Sequence, residues 1–356
     1  MKGIFARILI SFLFSLCMPV SLFPDNIMMC TFFQNPVARV YKVSDEGDIS
    51  FDYDLTVGGN PRSLCFAPNG KWGMIGSHTT YYPPTQVTIV LGVDENRDIS
   101  VLGTAHNENA ELIAISPDSR YGVYGCNLKT LRFDNDTTFT VIPTTNPILC
   151  LQAVFSKVSN NILGQSKYVI EEYTLLPDGR TTDTGFTLDI SPSTGYWDLN
   201  VTPDGRTLIA LSGQTYRVTS LRINEEGGCS IAHQFNPGSY NPGEVDFTPD
   251  SKYAVISFVW SSDNLKIYRI EEDSKLTETD SIELPSYPGE DMAITPDGKY
   301  VVTRALINQY SYFYVVRIKE DGKLEYLPEK DYVCTGHVSA IAFVPPRIHG
   351  VSWVFY

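Results

Sequence analysis

Apolar and polar residues alternate with period two along most of the chain, in short segments separated by turns, and no amphipathic run of helical period reaches useful length. Two kinds of turn punctuate these segments. The first follows the pattern apolar-x-apolar, then a Pro-Asp-Gly type turn, then a second apolar strand. It reads CFAPNGKWGMIG at 65–76, AISPDSRYGVYG at 114–125, NVTPDGRTLIAL at 200–211, DFTPDSKYAVIS at 246–257 and AITPDGKYVVTR at 293–304. Two degenerate copies, VFSKVSNNILGQ at 154–165 and AFVPPRIHGVSW at 342–353, complete seven. The second kind is rich in acids and glycine, as in YKVSDEGDISF and VRIKEDGKLEY, and one copy lies between successive turns of the first kind. Both supply the Asp, Asn and Gly that tight hairpins need.

The marker positions Pro68, Pro117, Lys157, Pro203, Pro249, Pro296 and Pro345 recur about every 46 residues. That period, with two hairpins per unit, predicts an all-β, seven-bladed β-propeller of four-stranded antiparallel blades. Each blade is numbered here by its marker, so blade 1 carries Pro68 and blade 7 carries Pro345. The chain opens on an acid-type hairpin and ends on a Pro-type one. Two N-terminal and two C-terminal strands are therefore expected to share one composite blade that closes the ring, which removes exposed edges and apolar blade faces.

The first residues stand apart. Lys2 and Arg7, the apolar run Ile8 to Leu16 and the break from Pro19 to Asp25 have the layout of a secretory leader, set at residues 1–21 with its end uncertain. Residues 22–356 then form one propeller domain that is exported to the periplasm or exterior. The leader's run is too short for a membrane span, which needs about 20 apolar residues. The chain of 356 residues carries a formal charge of −14, or −16 without residues 1–21, and this acidity argues against a nucleic-acid partner. Six cysteines remain beyond the leader; an oxidising compartment would let them pair, in 15 ways that the spacing does not separate.

The turns SPDSRYGVYG, TPDSKYAVIS and TPDGKYVVTR resemble those of the YVTN-repeat, lactonase-like seven-bladed propellers, which include 6-phosphogluconolactonase-type enzymes. The likeness covers most of the chain beyond the leader but lies in turns and strands, so it speaks to fold more than to chemistry. WD40 propellers are near neighbours: Gly336 and His337 ahead of VSAIAF match their strand start in one blade, and no other blade repeats it.

Function is expected at the channel mouth, where innermost strands begin. Alignment on the markers puts Glu111, Asp198, Glu244, Glu290 and Asp291 around one opening, with His337 and Arg62 beside them. Tyr196, Trp197, Tyr240 and Tyr287 fall on the same side, and SYNPGE (239–244) and SYPGED (286–291) repeat a Tyr and an acid on blades 5 and 6. Aromatic walls with carboxylates suit a carbohydrate, peptide or protein ligand, so the primary expectation is a monomeric binding module. The alternative is a lactonase-like hydrolase with Glu290, His337 and Arg62 as catalytic groups on blades 6, 7 and 1. No cofactor is expected. GxSxG, HExxH, Walker and GxGxxG patterns are missing, and no metal-ligand spacing stands out, although converging carboxylates at the mouth would suit Ca²⁺.

Overall fold

In the turn Thr295 to Tyr300 the Thr295 hydroxyl donates to Asp297 Oδ1 at 2.6 Å and accepts the Tyr300 N–H at 3.0 Å, and Asp297 Oδ1 accepts the Lys299 N–H at 3.1 Å. The recurring sequence motif is thus a hydrogen-bonded turn made from its own side chains. Ser116, Thr202 and Thr248 repeat it with Asp118, Asp204 and Asp250. The fourth position needs a left-handed backbone, met by Gly205 and Gly298 but also by Ser119 (φ 58°) and Ser251 (φ 60°). Each serine does something glycine cannot: Ser119 Oγ accepts the Asn69 N–H at 3.1 Å and Ser251 Oγ the Asp204 N–H at 2.9 Å, both from the preceding blade. Thr295 is fully buried, so Thr295→Val should strand the Tyr300 N–H and lower stability by about 1–3 kcal/mol, read from the urea midpoint. An unchanged midpoint would mean that the hydroxyl is dispensable.

These observations come from a computed structural model, which describes residues 25–347 apart from 79–85, 108–111, 144–149, 159–160, 167, 192–195, 239–240, 260, 262–263, 287 and 308–309. Residues 1–24, with the expected leader, lie outside them. The strands form seven antiparallel sheets in a ring. Blade 1 runs through Asn60–Phe66, Trp72–His78, Gln86–Val93 and Ile99–Asn107, from the channel outward. Blades 2 to 6 repeat this order within 113–142, 152–189, 196–235, 241–282 and 288–335. In blade 6 the outer position is shared: Leu324–Tyr326 and Tyr332–Thr335 both pair with Tyr310–Ile318.

Blade 7 closes the ring from both ends, but its division differs from the expected two and two. Val338–Phe343 is innermost, and Asn26–Phe32, Asn35–Val43 and Ile49–Thr56 supply the other three strands. Met28 pairs with Phe343 and Cys30 with Ile341. The reason is that Asn26–Phe32 is buried almost throughout, so it does not alternate, and its turn at Phe33 and Gln34 has neither hairpin signature. Most of the expected partner hairpin strand, 348–356, lies outside the described residues. Arg97 of blade 1 pins the closure, donating to the Asp25 and Val344 carbonyls at 2.9 Å each.

Burial explains why so many strands are apolar on both faces. Every pair of neighbouring blades shares its own core, including blades 7 and 1, where Ile27, Met29 and Val40 meet Ile75, Ile89 and Leu91. The intervening Met28 and Cys30 face the other way, into the core of blades 6 and 7 with Val302 and Phe313. Alternate residues of one strand therefore serve different cores. Much of the chain's acidity is local to hairpin turns, in pairs such as Asp118 with Arg120, Asp250 with Lys252 and Asp273 with Lys275.

Candidate functional site

The innermost strand of each blade pairs on one side only, leaving an edge of backbone groups toward the channel. On blades 4 to 6 acidic side chains meet that edge. Asp198 accepts the Leu199 N–H at 2.8 Å and, across the blade boundary, the Val245 N–H at 2.9 Å. Asp246 does the same for Phe247 (2.8 Å) and Ile294 (2.7 Å), and Glu244 accepts the Met292 N–H. Asn200 joins the series by donating to the Val245 carbonyl at 3.1 Å. Asp198 and Glu244, expected as ligand contacts, thus have oxygens committed to stitching neighbouring blades.

Loss of water dominates these carboxyls. Burial pushes Asp198 up to about 7 and Asp246 up to about 6 against the pull of their backbone donors, and it raises Glu244 and Asp291 as well. A folded-state pKa above the unfolded value means that the folded form holds the proton more tightly. The associated stability is full below the ordinary carboxylate range and is lost as pH rises through about 6 to 7. Melting temperature should therefore fall from pH 5.5 to pH 8, by the equivalent of roughly 1–3 kcal/mol, and Asp198→Asn should flatten the slope. For the turn acids Asp118, Asp250 and Asp297 burial is the largest single effect and pushes upward, but their hydrogen bonds and paired cations together outweigh it and hold them low, so they act only below that window. A melting temperature that rises across the window would contradict the burial argument.

A second group gathers where blades 6, 7 and 1 meet. Arg304, on the second strand of blade 6, pairs with Asp291 of the innermost strand at 2.9 Å, with only 8% of its side chain exposed. Its Nε and Nη1 have no partner among the described residues, and neither has Arg62 Nε. Arg62 stacks its guanidinium 4.2 Å from the centre of the Phe33 ring, and the His337 imidazole lies 5.4 Å from the same ring. Phe33 is held there by its N–H, which donates to the His337 carbonyl at 2.7 Å. His337 keeps an edge open to solvent. Its pKa is lowered, first by the water it loses in this packing and then by the positive charges of Arg304 and Arg62. A neutral imidazole thus stands beside two guanidinium groups with unmatched N–H donors, an arrangement able to take a proton from water and to hold an anionic oxygen.

Of the expected site residues, Arg62, His337 and Asp291 fall in this group, while Asp198 and Glu244 lie along the acidic channel edge. Glu111, Tyr240 and Tyr287 lie outside the described residues, as do the side chains of Glu290, Tyr196 and Trp197. Arg304 was not expected from the marker alignment, which covered only innermost strands. Its signal was nevertheless present: one arginine inside the apolar strand YVVTRALI. Among the described residues no group of three or more His, Cys, Asp and Glu side chains is arranged to hold a metal ion.

No protein-family model and no curated protein sequence matches this chain. Solved structures do. The periplasmic gluconolactonase of Pseudomonas aeruginosa superposes with a TM-score of 0.76 over 90% of this chain and 99% of its own, at 12% identity. Two 6-phosphogluconolactonase candidates are similar, one from Bacteroides uniformis (TM-score 0.74, 17% identity, 90% and 100% covered) and one from Bacteroides fragilis (0.75, 15%, 92% and 99%). At these identities the likeness shows a shared lactonase-like seven-bladed propeller fold.

Proposed function

We propose that the chain is a hydrolase that opens a sugar lactone, or a similar cyclic ester, at the channel mouth. The observation that carries this reading is the neutral His337 packed on the Phe33 ring with Arg62 and feeling the charge of the buried, partly unmatched Arg304. His337 takes a proton from water as the oxygen adds to the lactone carbonyl. The guanidinium donors hold the resulting oxyanion, and collapse breaks the ring C–O bond while the imidazolium returns its proton to the leaving alkoxide. The product is the open hydroxy acid. Asp291 orients Arg304 through their ion pair. Glu290 is proposed as a further group at this mouth on its place in the innermost strand.

The fold shared with a periplasmic gluconolactonase and with 6-phosphogluconolactonase candidates supports this chemistry over a purely binding role. The basic start and apolar run of residues 1–21 support export, so the substrate would be met outside the cytoplasm. Purified protein should hydrolyse members of a sugar-lactone panel with saturable kinetics above the spontaneous rate, followed by acid release. A panel opened only at the spontaneous rate would overturn the proposal.

A further inference from the structure

Away from the channel mouth, two cysteines that lie 304 positions apart in sequence come together at the seam between blades 6 and 7. Cys30 is on the second strand of blade 7 and Cys334 on the outer edge of blade 6, and both are fully buried in one core. Cys30 is paired in the blade 7 ladder with Arg39, the residue that also reaches Cys334. Cys334 is also contacted from the next strand of blade 7: Arg39 Nη1 lies 3.4 Å from its Sγ and Tyr41 Oη 3.1 Å. Arg39 is itself fixed by the Thr335 carbonyl at 3.0 Å and by Asp54 at 3.1 Å. A cleft of about 340 Å³ opens over this group, lined by Arg39, Tyr41, Phe51, Tyr332, Cys334 and Thr335. Cys30 does not line it.

We infer that Cys334 and Cys30 form a redox-active dithiol, in which Cys334 reacts with a small-molecule disulfide at the cleft and Cys30 resolves the product into a disulfide that staples blade 6 to blade 7. The electrostatics favour that division of roles. The neighbouring Cys30 thiol, with the Tyr41 hydroxyl and the Arg39 guanidinium that reach its sulfur, holds the Cys334 thiol below its ordinary value, whereas burial holds Cys30 above. The Cys334 thiolate attacks one sulfur of the small disulfide, forms a mixed disulfide and expels one small thiolate, which takes up a proton. Cys30 then loses its proton, attacks the Cys334 sulfur and expels the second small thiol. Two protein thiols are oxidised by two electrons, and one disulfide is reduced to two thiols. The product bond would join the N-terminal strands to the end of blade 6 and so lock the ring at its closing seam.

Among the described residues, three further cysteines lack this setting. Cys65, Cys150 and Cys229 are pushed up to about 12, chiefly by burial, with no cation beside them.

The test treats the folded full chain with oxidised glutathione and maps its thiols by digestion and mass spectrometry. In the unsubstituted protein, peptides bearing Cys30 and Cys334 should be recovered linked, and the melting temperature should rise by about 5–8 °C over the reduced form. Cys30→Ser should arrest the reaction with glutathione attached to Cys334, and Cys334→Ser should leave Cys30 unmodified. Recovery of both thiols free from the oxidised protein, or glutathione accumulating on Cys30 in Cys334→Ser, would overturn the inference. The mapping of the unsubstituted protein decides the matter even if a variant fails to fold.

Discussion

His337→Ala should lower kcat for lactone opening by about 10²–10⁴-fold, the usual contribution of a positioned general base, with KM little changed because the guanidinium groups remain. Stability should move little, since His337 keeps an open edge and makes its backbone contact to Phe33 through the carbonyl. The pH profile makes the assignment sharper. His337 must be unprotonated to act, so the rate should fall as pH drops through its pKa, at a pH below the ordinary histidine value. Replacing Arg62 with Met removes one of the positive charges that depress it, so the acid limb should shift to higher pH in that variant. A merely structural histidine would show neither the kcat loss nor the coupled shift. A kcat within twofold of the unsubstituted protein would remove His337 from the mechanism.

Arg304→Ala should destabilise the fold by about 3–5 kcal/mol at pH 8, because it leaves Asp291 buried without its cation. The penalty should shrink at pH 5.5. Burial already raises the Asp291 pKa, and without Arg304 the carboxyl can escape the cost of its charge by taking a proton. Asp291→Asn in the same chain should recover much of the loss at pH 8, since no charge is then stranded. Denaturant unfolding of the two single variants and the double variant, at both pH values, gives the coupling energy directly. Equal losses at the two pH values, or no recovery in the double variant, would show that Arg304 acts through packing alone. Lactone opening should be lost in the double variant even where stability returns, because the oxyanion donor is gone.

The architecture was legible because each blade repeats the same local chemistry. The Thr295 to Tyr300 turn needs only its own hydroxyl, carboxylate and left-handed fourth residue, so its residues announce it wherever they recur. The closing blade was legible only in outline. Asn26–Phe32 is buried on both faces, and a strand with no polar face carries no period to read.

The site divides in the same way. Arg62 and His337 could be placed at one mouth by counting back from the proline markers. Counting could not find Arg304, which reaches the mouth from a second strand, nor show that Asp198, Glu244 and Asp246 would bind the neighbouring blade's backbone. Such contacts join residues nearly fifty positions apart, and they depend on how adjacent blades are spaced.

By itself, the sequence determined what short-range chemistry controls: the hairpins, their order, the number of blades and the strands that carry the mouth. Only the tertiary structure decided what depends on distance across blade seams. Pairing of the two inner strands of blade 6 sets Arg304 beside Asp291, and closing the ring brings His337 to the Phe33 ring on which Arg62 stacks and puts Cys30 and Cys334 in one core. The charge and proton affinity of each follow from neighbours that the linear order keeps apart.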